Sequence, residues 1–121
     1  MKNWSALVIE DDPSLSAVFG KALQAVGFQV EIAETGDEAR TRLASTTPDV
    51  ITLDLHLPDA SGTELLSYIR ADARLARTRV IITTADPILA DTMHDQADIV
   101  LIKPASFAQL RDLAARLSMT A

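Results

Sequence analysis

Five short apolar runs, at residues 6–9, 28–32, 50–53, 80–82 and 99–102, punctuate the chain and set the limits on its fold. They are rich in β-branched residues and, apart from 28–32, are continuous rather than alternating, the pattern of strands covered on both faces of a parallel sheet. Between them the apolar residues switch to helical spacing. Leu15, Val18, Phe19, Ala22, Leu23 and Val26 share one helical face, and Phe107, Leu110, Leu113, Ala114 and Leu117 share another. Helix starts are marked too. Asp12-Pro13 and Asp86-Pro87 read as an N-cap followed by proline at the first helical position, while Thr35/Glu38, Ser61/Glu64 and Ser106/Gln109 fit capping boxes. Gly27 suits a helix C-terminus and Gly36 a turn. Strand then helix, five times over, predicts a doubly wound α/β domain built on a five-stranded parallel sheet.

At 121 residues the chain holds one such domain, spanning 1–121, and leaves no room for a second. The absence of cysteine excludes a disulfide framework and thiolate metal sites, and fits a reducing compartment. Met1-Lys2-Asn3-Trp4-Ser5 leads into an apolar run too short for a signal peptide, and no later run reaches membrane-spanning length, so a cytoplasmic protein without a membrane partner is expected. A formal charge of −6 with no cluster of Lys and Arg argues against direct nucleic-acid binding.

In open parallel sheets the reactive groups gather beyond the carboxyl ends of the strands. The residues that leave the runs there are Glu10 and Asp11 after the first, Asp54 after the third, Thr84 after the fourth and Lys103 after the fifth. A carboxylate such as Asp54, ending the apolar stretch V50-I-T-L, needs partners or a purpose, because burial disfavours its charge. Three carboxylates converging at one edge repel each other unless a hard cation with oxygen ligands lies between them, and Mg2+ fits that description. Lys103 can then neutralise one phosphoryl oxygen and Thr84 can hydrogen-bond another, with Asp54 as the nucleophile, a set sufficient for phosphoryl transfer.

The segments L7-V-I-E-D-D-P13, P48-D-V-I-T-L-D-L-H-L-P-D-A-S-G62, V80-I-I-T-T-A85 and I102-K-P104, in this order and spacing, resemble the receiver domains of bacterial two-component response regulators, CheY-like in fold. The resemblance covers residues 6–117. It implies a flavodoxin-like (βα)5 fold with strand order 2-1-3-4-5, and Mg2+ held by Glu10, Asp11, Asp54 and the backbone carbonyl of His56. Asp54 would accept the phosphoryl group, with Thr84 and Lys103 sensing it, and the Lys103-Pro104 bond would be cis. The implied partners are a sensor histidine kinase or a histidine phosphotransfer protein, an unknown downstream protein, and a second copy of the chain. Such a domain is a switch, not an enzyme, and catalyses only its own phosphorylation and dephosphorylation. The chain would be a free-standing receiver or one cut from a longer regulator or hybrid kinase.

Each site residue has a plainer reading when taken alone. Glu10-Asp11-Asp12 suits a helix N-terminus, Asp54 a strand end, Thr84 a strand, and Lys103 a solvated lysine. Their joint placement at the strand ends favours the functional reading. His56 is expected to be a solvent-facing loop side chain, two past the phosphoacceptor, that tunes access of water; Asp86, two past Thr84, is the companion position. His94 reads as a surface residue. The sequence departs from the family at Val100, where receivers usually carry an aromatic switch, at Ala105, and in a short segment from Thr84 to Lys103. An altered readout is therefore expected, with a phosphorylation-independent interaction module as the alternative function. A haloacid-dehalogenase type of hydrolase is disfavoured because His56 stands where that chemistry needs a second acid. A dinucleotide module lacks its Gly-rich turn after the first strand.

Overall fold

A computed structural model of the chain describes residues 4–120, with side chains as far as Leu117; the ends of the expected domain, at residues 1–3 and 121, and the leader reading at 1–3 lie outside the described residues. Strand and helix alternate: β1 (Ser5–Ile9), α1 (Pro13–Ala25), β2 (Gln29–Ala33), α2 (Gly36–Ser45), β3 (Val50–Asp54), α3 (Gly62–Ala71), β4 (Arg79–Thr84), α4 (Pro87–Thr92), β5 (Ile99–Ile102) and α5 (Phe107–Thr120). A 3-10 turn, Ala73–Leu75, precedes β4. All strand pairs are parallel, in the expected order β2-β1-β3-β4-β5.

The period of two divides each strand between two apolar layers. Ala6, Val8, Val50, Ile81 and Leu101 pack with Phe19 and Leu23 of α1 and with Leu110 and Ala114 of α5. Leu7, Ile9, Ile51, Leu53, Val80 and Ile82 pack with Leu43 of α2 and with Leu65, Leu66 and Ile69 of α3. Each fully buried Leu or Ile contributes roughly 1.5–3 kcal/mol, so a polar residue at the end of such a strand is conspicuous.

All five N-caps are formed, but the Glu38 side chain of the first capping box accepts from the Glu34 N–H (3.2 Å) and not from that of Thr35. Asp12 accepts from the Ser14 and Leu15 N–H groups (2.8 and 3.3 Å) and Asp86 from those of Ile88 and Leu89 (3.0 and 3.2 Å). Thr35, Ser61 and Ser106 accept from the N–H groups of Glu38, Glu64 and Gln109. Gly27, at φ 98°, closes α1: its N–H donates to the Gln24 carbonyl and the Phe28 N–H to that of Leu23. The Lys103-Pro104 bond is cis, as the resemblance implied.

Three positions differ from expectation. Gly36 is the first residue of α2, not a turn, because the segment after β3 lies against it: Asp59 accepts from the Gly36 and Asp37 N–H groups at 2.7 and 3.1 Å. β5 is a sheet edge and is less covered than a continuous apolar run suggests, with Ile102 exposed. The six-residue α4 covers little of it, and Ile88 on that helix is 79% exposed. Phe107, placed on the apolar face of α5, is exposed at its first turn, where the Arg111 guanidinium lies 5.8 Å from its ring centroid.

Candidate functional site

Backbone pairing continues past the strand ends and fixes the residues that leave them. The Glu10 N–H donates to the Ala33 carbonyl (3.0 Å), that of Leu55 to Thr83 (3.2 Å) and that of Lys103 to Thr84 (2.8 Å). Because Ile9 pairs with Leu53, Glu10 and Asp54 follow at the same level of the sheet. Both are buried, at 1% and 3% exposure, whereas Asp11 is exposed.

Lys103 bridges the two buried carboxylates, its Nζ lying 2.9 Å from Glu10 Oε1 and 3.3 Å from Asp54 Oδ2. These are charge contacts without hydrogen-bond alignment, so Glu10 Oε1 is buried without a hydrogen-bond partner. Glu10 Oε2 accepts from the Asp12 N–H at 3.3 Å. Burial, reinforced by the neighbouring Asp54 carboxylate and opposed by Lys103, raises the Glu10 pKa to about 7. Burial lowers the basicity of Lys103, yet Glu10 and Asp54 outweigh it and hold the ammonium above its ordinary pKa.

One carboxylate oxygen each from Glu10, Asp11 and Asp54 lie within 4.8 Å of one another. The donor set is that of a hard cation with oxygen ligands, and the unaligned Oε1 and raised pKa of Glu10 mark negative charge that one ammonium does not fully balance. These residues fit a divalent ion.

The Glu10 shift predicts a pH dependence. Between about pH 4.5 and 7 the folded chain holds a proton on Glu10 that the unfolded chain has released. Its contribution is complete below the unfolded pKa and is lost as pH rises through the folded one. In metal-free buffer, wild-type stability should fall across that window by on the order of 3 kcal/mol relative to Glu10→Gln. Denaturant melts of both proteins at about pH 5 and pH 8 measure the difference, and parallel curves would contradict the assignment.

Thr84 is fully buried at the end of β4. Its Oγ1 accepts from the Asp86 N–H at 3.1 Å and lies 3.2 Å from His56 Nε2. The His56 N–H donates to Asp54 Oδ1 at 3.0 Å. His56 is exposed as expected, but its ring turns to Thr84, a contact that sequence reasoning missed and for which position alone gives no signal. The Asp86 carboxylate is engaged as the α4 N-cap, and His94 is exposed. Val100 is partly buried against the core layer beneath α2 and α3. Glu10, Asp11, Asp54 and Lys103 thus meet directly, and Thr84 joins them through His56.

Residues 6–115 match the response regulator receiver domain family. The chain is 33% identical over 113 residues to the transcriptional regulatory protein TrcR of Mycobacterium tuberculosis, an overlap covering 92% of this chain and 42% of that protein. It is 35% identical over 106 residues to the phosphate regulon transcriptional regulatory protein PhoB of Rhizobium meliloti, covering 85% and 47%. The chain therefore spans less than half the length of these curated relatives. A response regulator receiver domain (CheY-like) structure from Methylobacillus flagellatus superposes with a TM-score of 0.85 at 25% identity, covering 96% of this chain and 99% of that one. Among the described residues no helix is long and apolar enough to cross a membrane.

Proposed function

The chain belongs to the response regulator receiver domain family, and on that premise we propose that it is a Mg2+-dependent phosphoacceptor switch, phosphorylated on Asp54 by a sensor histidine kinase or a histidine phosphotransfer protein. The observation that carries the reading is the buried Asp54 carboxylate held between the Lys103 ammonium and the acidic pair Glu10 and Asp11. A cytoplasmic location and a downstream partner protein go with it.

The side chains divide the chemistry between them. His56, through its backbone N–H, orients the Asp54 carboxylate, which attacks the phosphorus of a phosphohistidine. The new P–O bond makes an aspartyl phosphate as the P–N bond breaks, and the leaving imidazole takes up a proton. Lys103 pairs with a phosphoryl oxygen and the Thr84 hydroxyl donates to another. Glu10, Asp11, Asp54 and the His56 carbonyl would hold Mg2+, which when bound would supply further neutralisation of the phosphoryl charge. The pocket performs this exchange on its own aspartate and turns over no separate substrate.

Acetyl phosphate with Mg2+ should add about 80 Da, one phosphoryl group, to the intact mass, and excess EDTA should prevent it. No adduct under any metal condition would leave only the phosphorylation-independent interaction module. The residues should also separate by role. Asp11→Ala should abolish Mg2+ binding measured by calorimetry, whereas Lys103→Ala and Thr84→Ala should retain it and weaken the response to phosphate. Loss of metal binding in either of the last two would contradict the division of roles.

A further inference from the structure

The Thr84 hydroxyl has one proton and is wholly buried. Its oxygen already accepts from the Asp86 N–H, and the acceptor its proton finds among the described residues is His56 Nε2, 3.2 Å away. With the hydroxyl donating, the imidazole accepts on Nε2 and carries its ring proton on Nδ1. The same residue donates its backbone N–H to Asp54 Oδ1 at 3.0 Å. His56 therefore touches the acceptor of the phosphoryl group with its backbone and the reader of that group with its ring.

Resting on the phosphoacceptor reading, we infer that His56 is a positioning residue that holds the Thr84 hydroxyl until a phosphoryl group on Asp54 claims it, and that release of the imidazole reports phosphorylation. One proton cannot serve both acceptors. A hydrogen bond to an ionised phosphoryl oxygen is roughly twice as strong as one to a neutral acceptor, so the hydroxyl turns to the phosphoryl group and the ring is freed. The ring is at the surface and can rehydrate on leaving. Val100, aliphatic and packed in the core layer, offers Thr84 no polar atom and cannot take this part. What is lost is the side-chain bridge between the segment after β3 and the segment entering α4, the shortest helix of the domain.

The chain has two histidines, so nitrogen NMR of the imidazoles can follow His56 with the exposed His94 as an internal reference. At about pH 8, unmodified protein should show His56 protonated on Nδ1. Protein carrying the phosphoryl adduct, checked by mass in the same sample, should lose that signature, and Thr84→Val should lose it without phosphoryl. His56→Ala keeps the backbone N–H and carbonyl, and should bind beryllofluoride with Mg2+ about fivefold more tightly, the equivalent of one neutral hydrogen bond no longer broken. An adduct that forms with the His56 signal unchanged would overturn the inference while leaving the phosphoacceptor intact, as would unaltered beryllofluoride affinity in His56→Ala. Absence of any adduct would remove both.

Discussion

Asp54→Asn should abolish the phosphoryl adduct completely while keeping wild-type circular dichroism and a folded core. The amide keeps the shape of the side chain and an oxygen for the His56 N–H, now 3.0 Å from Asp54 Oδ1. It removes the nucleophile, since a neutral carboxamide has no ionised oxygen to form the acyl phosphate. It also removes a charge that raises the Glu10 pKa, so Glu10 ionises more readily and Lys103 remains paired. The expected loss is total because neither remaining carboxylate stands in the same place: Glu10 is held by the Asp12 N–H and Lys103, and Asp11 lies at the exposed side of the cluster. Residual adduct at the wild-type level would place the acceptor elsewhere.

The largest stability effect belongs to Gly62, which opens α3 and donates its N–H to the Leu55 carbonyl at 3.2 Å. A Cβ added there would lie 2.3 Å from Leu55 Cα and 2.8 Å from its carbonyl carbon and oxygen. The obstacle is backbone, so no rotamer change relieves it, and either α3 or the end of β3 must shift. Gly62→Ala is expected to cost about 3 kcal/mol, the upper part of the range for overpacking, and to lower Tm by on the order of 10 °C. Because Leu55 follows Asp54, the shift also disturbs the carboxylate, and phosphorylation should fall more than stability alone explains. Gly20→Ala is the control. There a Cβ meets only side-chain atoms at 3.6 Å and beyond, so little change is expected. Equal melts for Gly62→Ala and wild type would contradict the packing of α3 on β3.

The strand tips were legible because the period changes at each of them. A continuous, mostly apolar run breaks at Asp54 or Glu10, a helical pattern follows, and the carboxyl-end rule then groups residues that are far apart in the chain. The caps were equally readable, since Asp12 and Asp86 act on N–H groups only two and three residues away. What escaped depends on distant partners. The ring of His56 reaches Thr84 across 28 positions. Gly36 is required because Ala60 presses on it: a Cβ there would be 2.5 Å from that of Ala60. Local pattern carries no trace of such approaches. The edge character of β5 was hidden for another reason, as Ile99–Ile102 reads as apolar as a central strand and only the strand order exposes one of its sides.

The central claim is that Asp54, gathered with Glu10 and Asp11 beside Lys103, carries a labile acyl phosphate. Borohydride reduces an acyl phosphate to an alcohol and leaves free carboxylates untouched, so protein treated with acetyl phosphate and Mg2+, reduced and digested, records its own acceptor. Peptide sequencing by mass spectrometry should find homoserine at position 54, dependent on Mg2+ and absent without acetyl phosphate. Homoserine at another aspartate, or an unmodified position 54 in protein that carries the adduct, would contradict the account.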